Sequence, residues 1–189
     1  MKYIMEYISL GGDCAVAYQL QKYGLRTNAY PLDWVLSPTV QKCLEHEFYN
    51  LLDTSVLTWK NKSNSFPLID EDWKDRKDIV QRVVQSCYNI TFLHDISDVE
   101  DLPSVVQKYE RRIARFKTVM KDPTIVKKCF RMGKKEPLTA ILKTLGYVNI
   151  HLYQCENVQG SDWKKNEWDW CNWFKSEPDE YIHAEKNKV

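Results

Sequence analysis

Long apolar runs are missing from this chain of 189 residues. No stretch approaches the ~20 residues a membrane-spanning helix needs. The amino-terminal segment also lacks the apolar core and small-residue cleavage site of an export signal. An excess of charge of either sign is missing too: 27 basic and 26 acidic side chains leave a net charge of +1, which gives no reason to expect nucleic acid or an anionic membrane as partner. The six cysteines, at 14, 43, 87, 129, 155 and 171, contain no Cys-x-x-Cys pair, so neither a zinc site nor any other metal is expected. With seven tryptophans in a chain long enough for one packed domain, disulfide staples are not needed, and reduced thiols in the cytoplasm are the expectation. Glycine is scarce, at six residues. The third glycine of the dinucleotide fingerprint and the lysine of a P-loop are both absent, so no nucleotide class or other cofactor is indicated.

What is present begins with "YISLGGDCAVAYQL", residues 7–20. The β-branched and aromatic residues before the glycines suit a buried strand, and those from Cys14 onward suit a helix with Asp13 as its cap. Cys14 then falls in the first helical turn, where unpaired N–H groups and the helix dipole favour an anion and lower a cysteine pKa. The competing reading is a buried thiol packed as a small hydrophobe.

Downstream, "PTVQKCLEHEFYNLL" reads as a helix and residues 53–78 as an irregular insertion, a long loop or a short hairpin with "SVLTW" as one strand. "DIVQRVVQSCYN" reads as a short helix and "YNITFLHDIS" as a strand with a polar exit. In "LPSVVQKYERRIARFKTVMKD", Val105, Val106, Tyr109, Ile113, Phe116 and Met120 share one helical face. "TIVKKCFRMG" is a strand, "KEPLTAILKTLG" a helix, "YVNIHLYQC" a strand and "DWKKNEWDWCNWF" a tryptophan-rich helix. The alternation predicts an α/β fold: three layers, a mostly parallel sheet with helices on both faces. One domain over 1–175 and a polar tail over 176–189 are expected.

In such sheets the chemistry gathers at the carboxyl ends of the strands. Three polar exits, "SLGGDC", "FLHDIS" and "FRMGKKE", are candidates. Cys14 is the candidate nucleophile and His94 the candidate general base, the minimum for thiol chemistry. Asp95 is adjacent to the histidine, but neighbouring strand residues face opposite ways, so Asp33 of "PLDW" or Asp13 serves equally well as the orienting carboxylate. The backbone N–H groups of Gly11, Gly12 and Asp13 are candidates for an oxyanion or phosphate, and Arg131 for an anion beside Cys14.

The ordered set "ISLGGDCAVAYQLQKYGLR", "YPLDWVLSP", "FLHD", "KYERRIARF" and "CFRM" resembles an uncharacterised family described as "putative papain-like cysteine peptidases". The resemblance covers roughly residues 7–155 and implies Cys14 as nucleophile and His94 as base. A papain-like enzyme usually places its cysteine helix before an antiparallel, barrel-like sheet that carries the histidine, whereas the alternation here implies parallel strands. Three functions stay open at this point. One is a cysteine-dependent hydrolase acting on an amide, ester or thioester. The second is a phosphate- or nucleotide-type binding module with Arg131 and Arg26 as counter-charges. The third is an inactive interaction protein using the tryptophan-rich segment and the irregular insertion at 53–78.

Overall fold

A computed structural model describes residues 4–61, 82–92, 95, 99–156 and 169–184. Strand β1 (Ile4–Ser9) leads through a glycine turn into helix α1 (Cys14–Lys22). The long helix α3 (Leu102–Lys121) feeds β6 (Ile125–Met132), and α4 (Leu138–Thr144) feeds β7 (Ile150–Cys155). These three strands pair in parallel in the order β1, β6, β7, and β8 (Glu180–Ile182) closes the far edge antiparallel to β7. The chain is therefore an α/β protein built on a mostly parallel sheet.

Successive residues of a strand point to opposite faces, and the apolar residues of this sheet divide accordingly. Ile8, Cys129 and Leu152 join a large core with Phe116 and Met120 of α3 and Leu138 and Leu142 of α4. Their neighbours Phe130 and Tyr153 join a second cluster with Ala15, Val16 and Leu20 of α1 and Trp170 and Phe174 of α5 (Trp170–Lys175). Helices thus cover both faces. Phe130 is the centre of the second cluster, stacked on Tyr153 at 4.4 Å and edge-on to Phe174 at 5.1 Å. Burying such a side chain contributes about 2–3 kcal/mol, and the apolar face of α1 packs into this aromatic-rich cluster.

The middle of the chain departs from a simple alternation. A second, antiparallel sheet has the order β2 (Val35–Leu36), β5 (Thr91–Phe92), β4 (Arg82–Gln85), β3 (Thr58–Asn61). The strand preceding His94 belongs to this sheet and not beside β1, because Phe92 pairs with Val35 on one side and Val84 on the other. β4 replaces the short helix expected around residue 82. It is closed by a turn in which Asn89 takes φ 58° and the Ser86 N–H donates to Ile90 O at 2.9 Å. The helix expected through residue 52 stops after five residues as α2 (Gln41–Glu45), since Glu47, Phe48 and Asn50 all adopt positive φ. β8 lies within the stretch expected as a polar tail; three residues are too few to show a period, yet Ile182 is buried in the core. Residues 62–78 of the expected insertion and 157–168 before α5 fall outside the described residues.

Candidate functional site at the exits of β1 and β6

Pairing with β6 continues past the end of β1: Leu10 N–H donates to Phe130 O at 2.8 Å and Met132 N–H to Gly11 O at 3.3 Å. The chain then turns with φ of +74° at Gly11 and +97° at Gly12. A Cβ on Gly12 would stand 1.4 Å from the Met132 carbonyl oxygen, so only glycine lets the turn lie flat on β6. Inside the turn, Gly11 N–H donates to Ser9 Oγ at 3.2 Å and Gly12 N–H to Ser37 Oγ at 2.7 Å. Both glycine N–H groups that the sequence offers to an oxyanion are therefore engaged with hydroxyls of the fold. Asp13 is extended and its carboxylate accepts the Ala15 N–H at 2.9 Å, capping α1 as expected. Cys14 is the first residue of the helix, with 5% of its surface exposed.

Arg131, next to the end of β6, is completely buried. Its guanidinium donates to the carbonyls of Leu10 at 3.3 Å, Ser37 at 3.2 Å and Pro38 at 3.0 Å, and pairs with Glu136. Glu136 in turn accepts the N–H groups of Val40 at 3.0 Å and Gln41 at 2.9 Å and the Thr39 hydroxyl at 2.6 Å. Arg131 thus has its anion inside the protein and ties the β1 exit to the segment 37–41. Sequence reading missed Glu136; the one signal was a carboxylate following a strand exit that already carried an arginine.

Asp33 is buried just before β2, and its Oδ2 accepts from Arg26 Nε at 3.0 Å, Arg26 Nη2 at 2.6 Å and the Tyr30 N–H at 2.8 Å. Burial pushes its carboxyl above the ordinary range, against the pull of Arg26, the Tyr30 N–H and the more distant Arg112. The Arg26 guanidinium lies 5.7 Å from the Trp34 ring centroid. Arg26, proposed from sequence as a counter-charge for phosphate, is therefore paired internally, as Arg131 is.

Asp95 receives three donors from α3: Lys108 Nζ on Oδ1, and on Oδ2 the Tyr109 hydroxyl and Arg112 Nη1, each at 2.8 Å. Burial would raise its carboxyl, but the Lys108 hydrogen bond, the Arg112 charge and the Tyr109 hydroxyl together hold it below the usual range. His94 lies outside the described residues. The structure thus brings Gly11, Gly12, Asp13, Cys14 and Arg131 together at the parallel-sheet exit. Asp33 and Asp95 are each held by cations of their own, Asp33 by Arg26 and Asp95 by Lys108 and Arg112.

The remaining thiols differ among themselves. Cys43 and Cys129 are fully buried and burial pushes both up, Cys129 to about 12, whereas Cys87 is exposed. Among the described residues, no three His, Cys, Asp or Glu side chains converge to hold a metal ion, and no helix is long and apolar enough to cross a membrane.

A capped helix that starts on a cysteine, at the carboxyl edge of a mostly parallel sheet, defines the class. Within that class, the profile of a family described as "Putative papain-like cysteine peptidase" matches residues 5–149, and the chain belongs to this family. It is also 32% identical over 120 residues to an "Uncharacterized protein" of Acanthamoeba polyphaga mimivirus, an alignment that covers 58% of this chain and 54% of the viral protein. The chain therefore matches only about half the length of that relative. No solved structure gives a significant match.

Proposed function

We propose that the chain is a cysteine-dependent hydrolase, peptidase-like or cleaving a related amide or thioester, with Cys14 as nucleophile. The observation that carries this reading is the placement of Cys14 as first residue of a nine-residue capped helix directly after a glycine turn at the sheet exit. There the helix dipole favours the thiolate. Membership of a family described as peptidases supports the same reading.

In the proposed reaction His94 takes the Cys14 proton and Sγ bonds to the substrate carbonyl carbon. As the tetrahedral intermediate collapses, the bond to the leaving amine or thiolate breaks and that group receives the proton. Water, deprotonated by the same imidazole, then releases the acid and restores the thiol. Asp33 or Asp95 orients the histidine. With Gly11 and Gly12 N–H engaged inside the turn, the oxyanion role falls to Asp13 N–H and the first turn of α1.

The test is alkylation by iodoacetamide, followed peptide by peptide in a Cys87→Ser background that removes the exposed thiol. Cys14 is expected to react well ahead of the other thiols at neutral pH, and His94→Ala to abolish that lead. A Cys14 rate no faster than that of Cys171 or Cys155 would overturn the reading.

A further inference from the structure

Both backbone polar groups of Gly12 are held by a single residue. Gly12 N–H donates to Ser37 Oγ at 2.7 Å, and Ser37 N–H donates to Gly12 O at 3.2 Å. Ser37 is buried directly after β2 and is itself fixed, because Arg131 donates to its carbonyl at 3.2 Å and to that of Pro38 at 3.0 Å. Pro38 also keeps the backbone of Ser37 out of the helical region. The consequence lies one residue further on. The Gly12–Asp13 bond is a planar trans peptide, so its C=O and its N–H point in opposite directions. With Gly12 O turned toward Ser37, the Asp13 N–H is turned away from it. Among the described residues no acceptor takes that N–H, whereas those of Gly11, Gly12 and Ala15 are all engaged. Gly12 has no side chain to restrict its rotation, so the two bonds to Ser37 supply that restraint.

We propose that Ser37 is a positioning residue: it fixes the Gly12–Asp13 peptide so that Asp13 N–H meets the oxyanion formed when the Cys14 thiolate adds to a carbonyl. This rests on the assignment of Cys14 as nucleophile above and goes further, because it separates the placement of the donor from the activation of the thiol. It also gives the antiparallel sheet a part in the chemistry. β2 delivers Ser37 to the glycine turn, and Arg131 holds that serine in place instead of meeting a substrate anion.

Two reactions of the same thiolate separate these roles. With p-nitrophenyl acetate, Sγ bonds to the acetyl carbon and the carbonyl electron pair moves onto oxygen. The pair returns as the bond to p-nitrophenolate breaks, leaving a thioester on Cys14. With iodoacetamide, Sγ displaces iodide at a saturated carbon and no oxyanion forms. Ser37→Ala removes the acceptor for Gly12 N–H and keeps the main-chain bonds to Gly12 and Arg131. The control is Ser86→Ala, since Ser86 is also buried and its Oγ accepts a backbone N–H, that of Tyr88 at 3.2 Å, in the turn after β4. Both rates are measured on the full chain in the Cys87→Ser background, with the thermal midpoint of each variant. Nitrophenolate release is taken as the excess over Cys14→Ala. Ser37→Ala is expected to slow acylation by about tenfold or more and to leave alkylation of Cys14 unchanged, while Ser86→Ala changes neither. If Ser37→Ala lowers both rates together or neither, or if Ser86→Ala gives the same split, the positioning role is wrong and the hydrolase reading survives. If the parent chain releases nitrophenolate no faster than Cys14→Ala, both fall.

Discussion

At Gly12 the added methyl of alanine would meet a backbone carbonyl that is fixed in the sheet, at 1.4 Å. At Gly24 the same change meets nothing within 4 Å, although φ is +66°. Backbone strain alone costs about 1–2 kcal/mol, while overpacking adds roughly 1–3 kcal/mol. Gly12→Ala is therefore expected to lose about 3 kcal/mol or more in urea unfolding, and Gly24→Ala only about 1 kcal/mol. Equal losses would mean that the turn is not pressed against β6. Asp33 allows a similar discrimination. A mere turn cap would cost roughly 0.5–2 kcal/mol on removal, but this carboxylate is buried against Arg26. Asp33→Ala strands that guanidinium and should cost about 3 kcal/mol. Asp33→Asn, which keeps shape and one acceptor oxygen, should cost less stability while lowering Cys14 reactivity, read by the alkylation rate.

Among the elements, α3 and its contacts with Asp95 respond to acid in a direction that can be worked out. The Asp95 carboxyl is held below its unfolded value of about 3.9. Its contribution is therefore complete above pH ~4 and disappears as pH falls through the lower folded value. Unfolding free energy followed from pH 6 to pH 3 should drop more steeply for the wild type than for Lys108→Met, whose partner carboxyl is less depressed. The elements that were legible from sequence are those with enough residues to show a period: α3 with its face of Val105, Tyr109, Phe116 and Met120, and β6 and β7 with their apolar cores. The antiparallel sheet was not legible. Its strands are two to four residues long, and the paired valines of "QRVVQ" fit a helix turn as well as a strand. At the site, the Asp13 cap and the placement of Cys14 followed from "GGDC" alone, since capping is local. The anchoring by Arg131 did not, because its partners are mainly carbonyls, which every residue has, together with Glu136.

For the whole molecule, the parallel sheet carries two cores, and a partly buried histidine lies at its β7–β8 edge. His151 meets Tyr181 of β8 edge-on at 4.8 Å. Burial, then Lys128 and His183, hold its pKa below the usual 6.5 against the opposing pull of Glu177. The unfolded chain takes up the proton first, so stability is complete above pH ~6.5 and declines as pH falls below it. A His151→Gln variant should flatten the stability profile between pH 7 and 5, and an unchanged slope would show that the ring is not held neutral. The second core also joins segments far apart in the sequence. Ala15, Val16 and Leu20 of the cysteine helix share it with Trp170 and Phe174, which lie beyond the family-matched residues 5–149. Because synthesis proceeds from the amino terminus, the helix that starts at Cys14 emerges before its aromatic cover is translated. On a ribosome, the helix that starts at Cys14 therefore stays incompletely packed until residues 170–174 arrive.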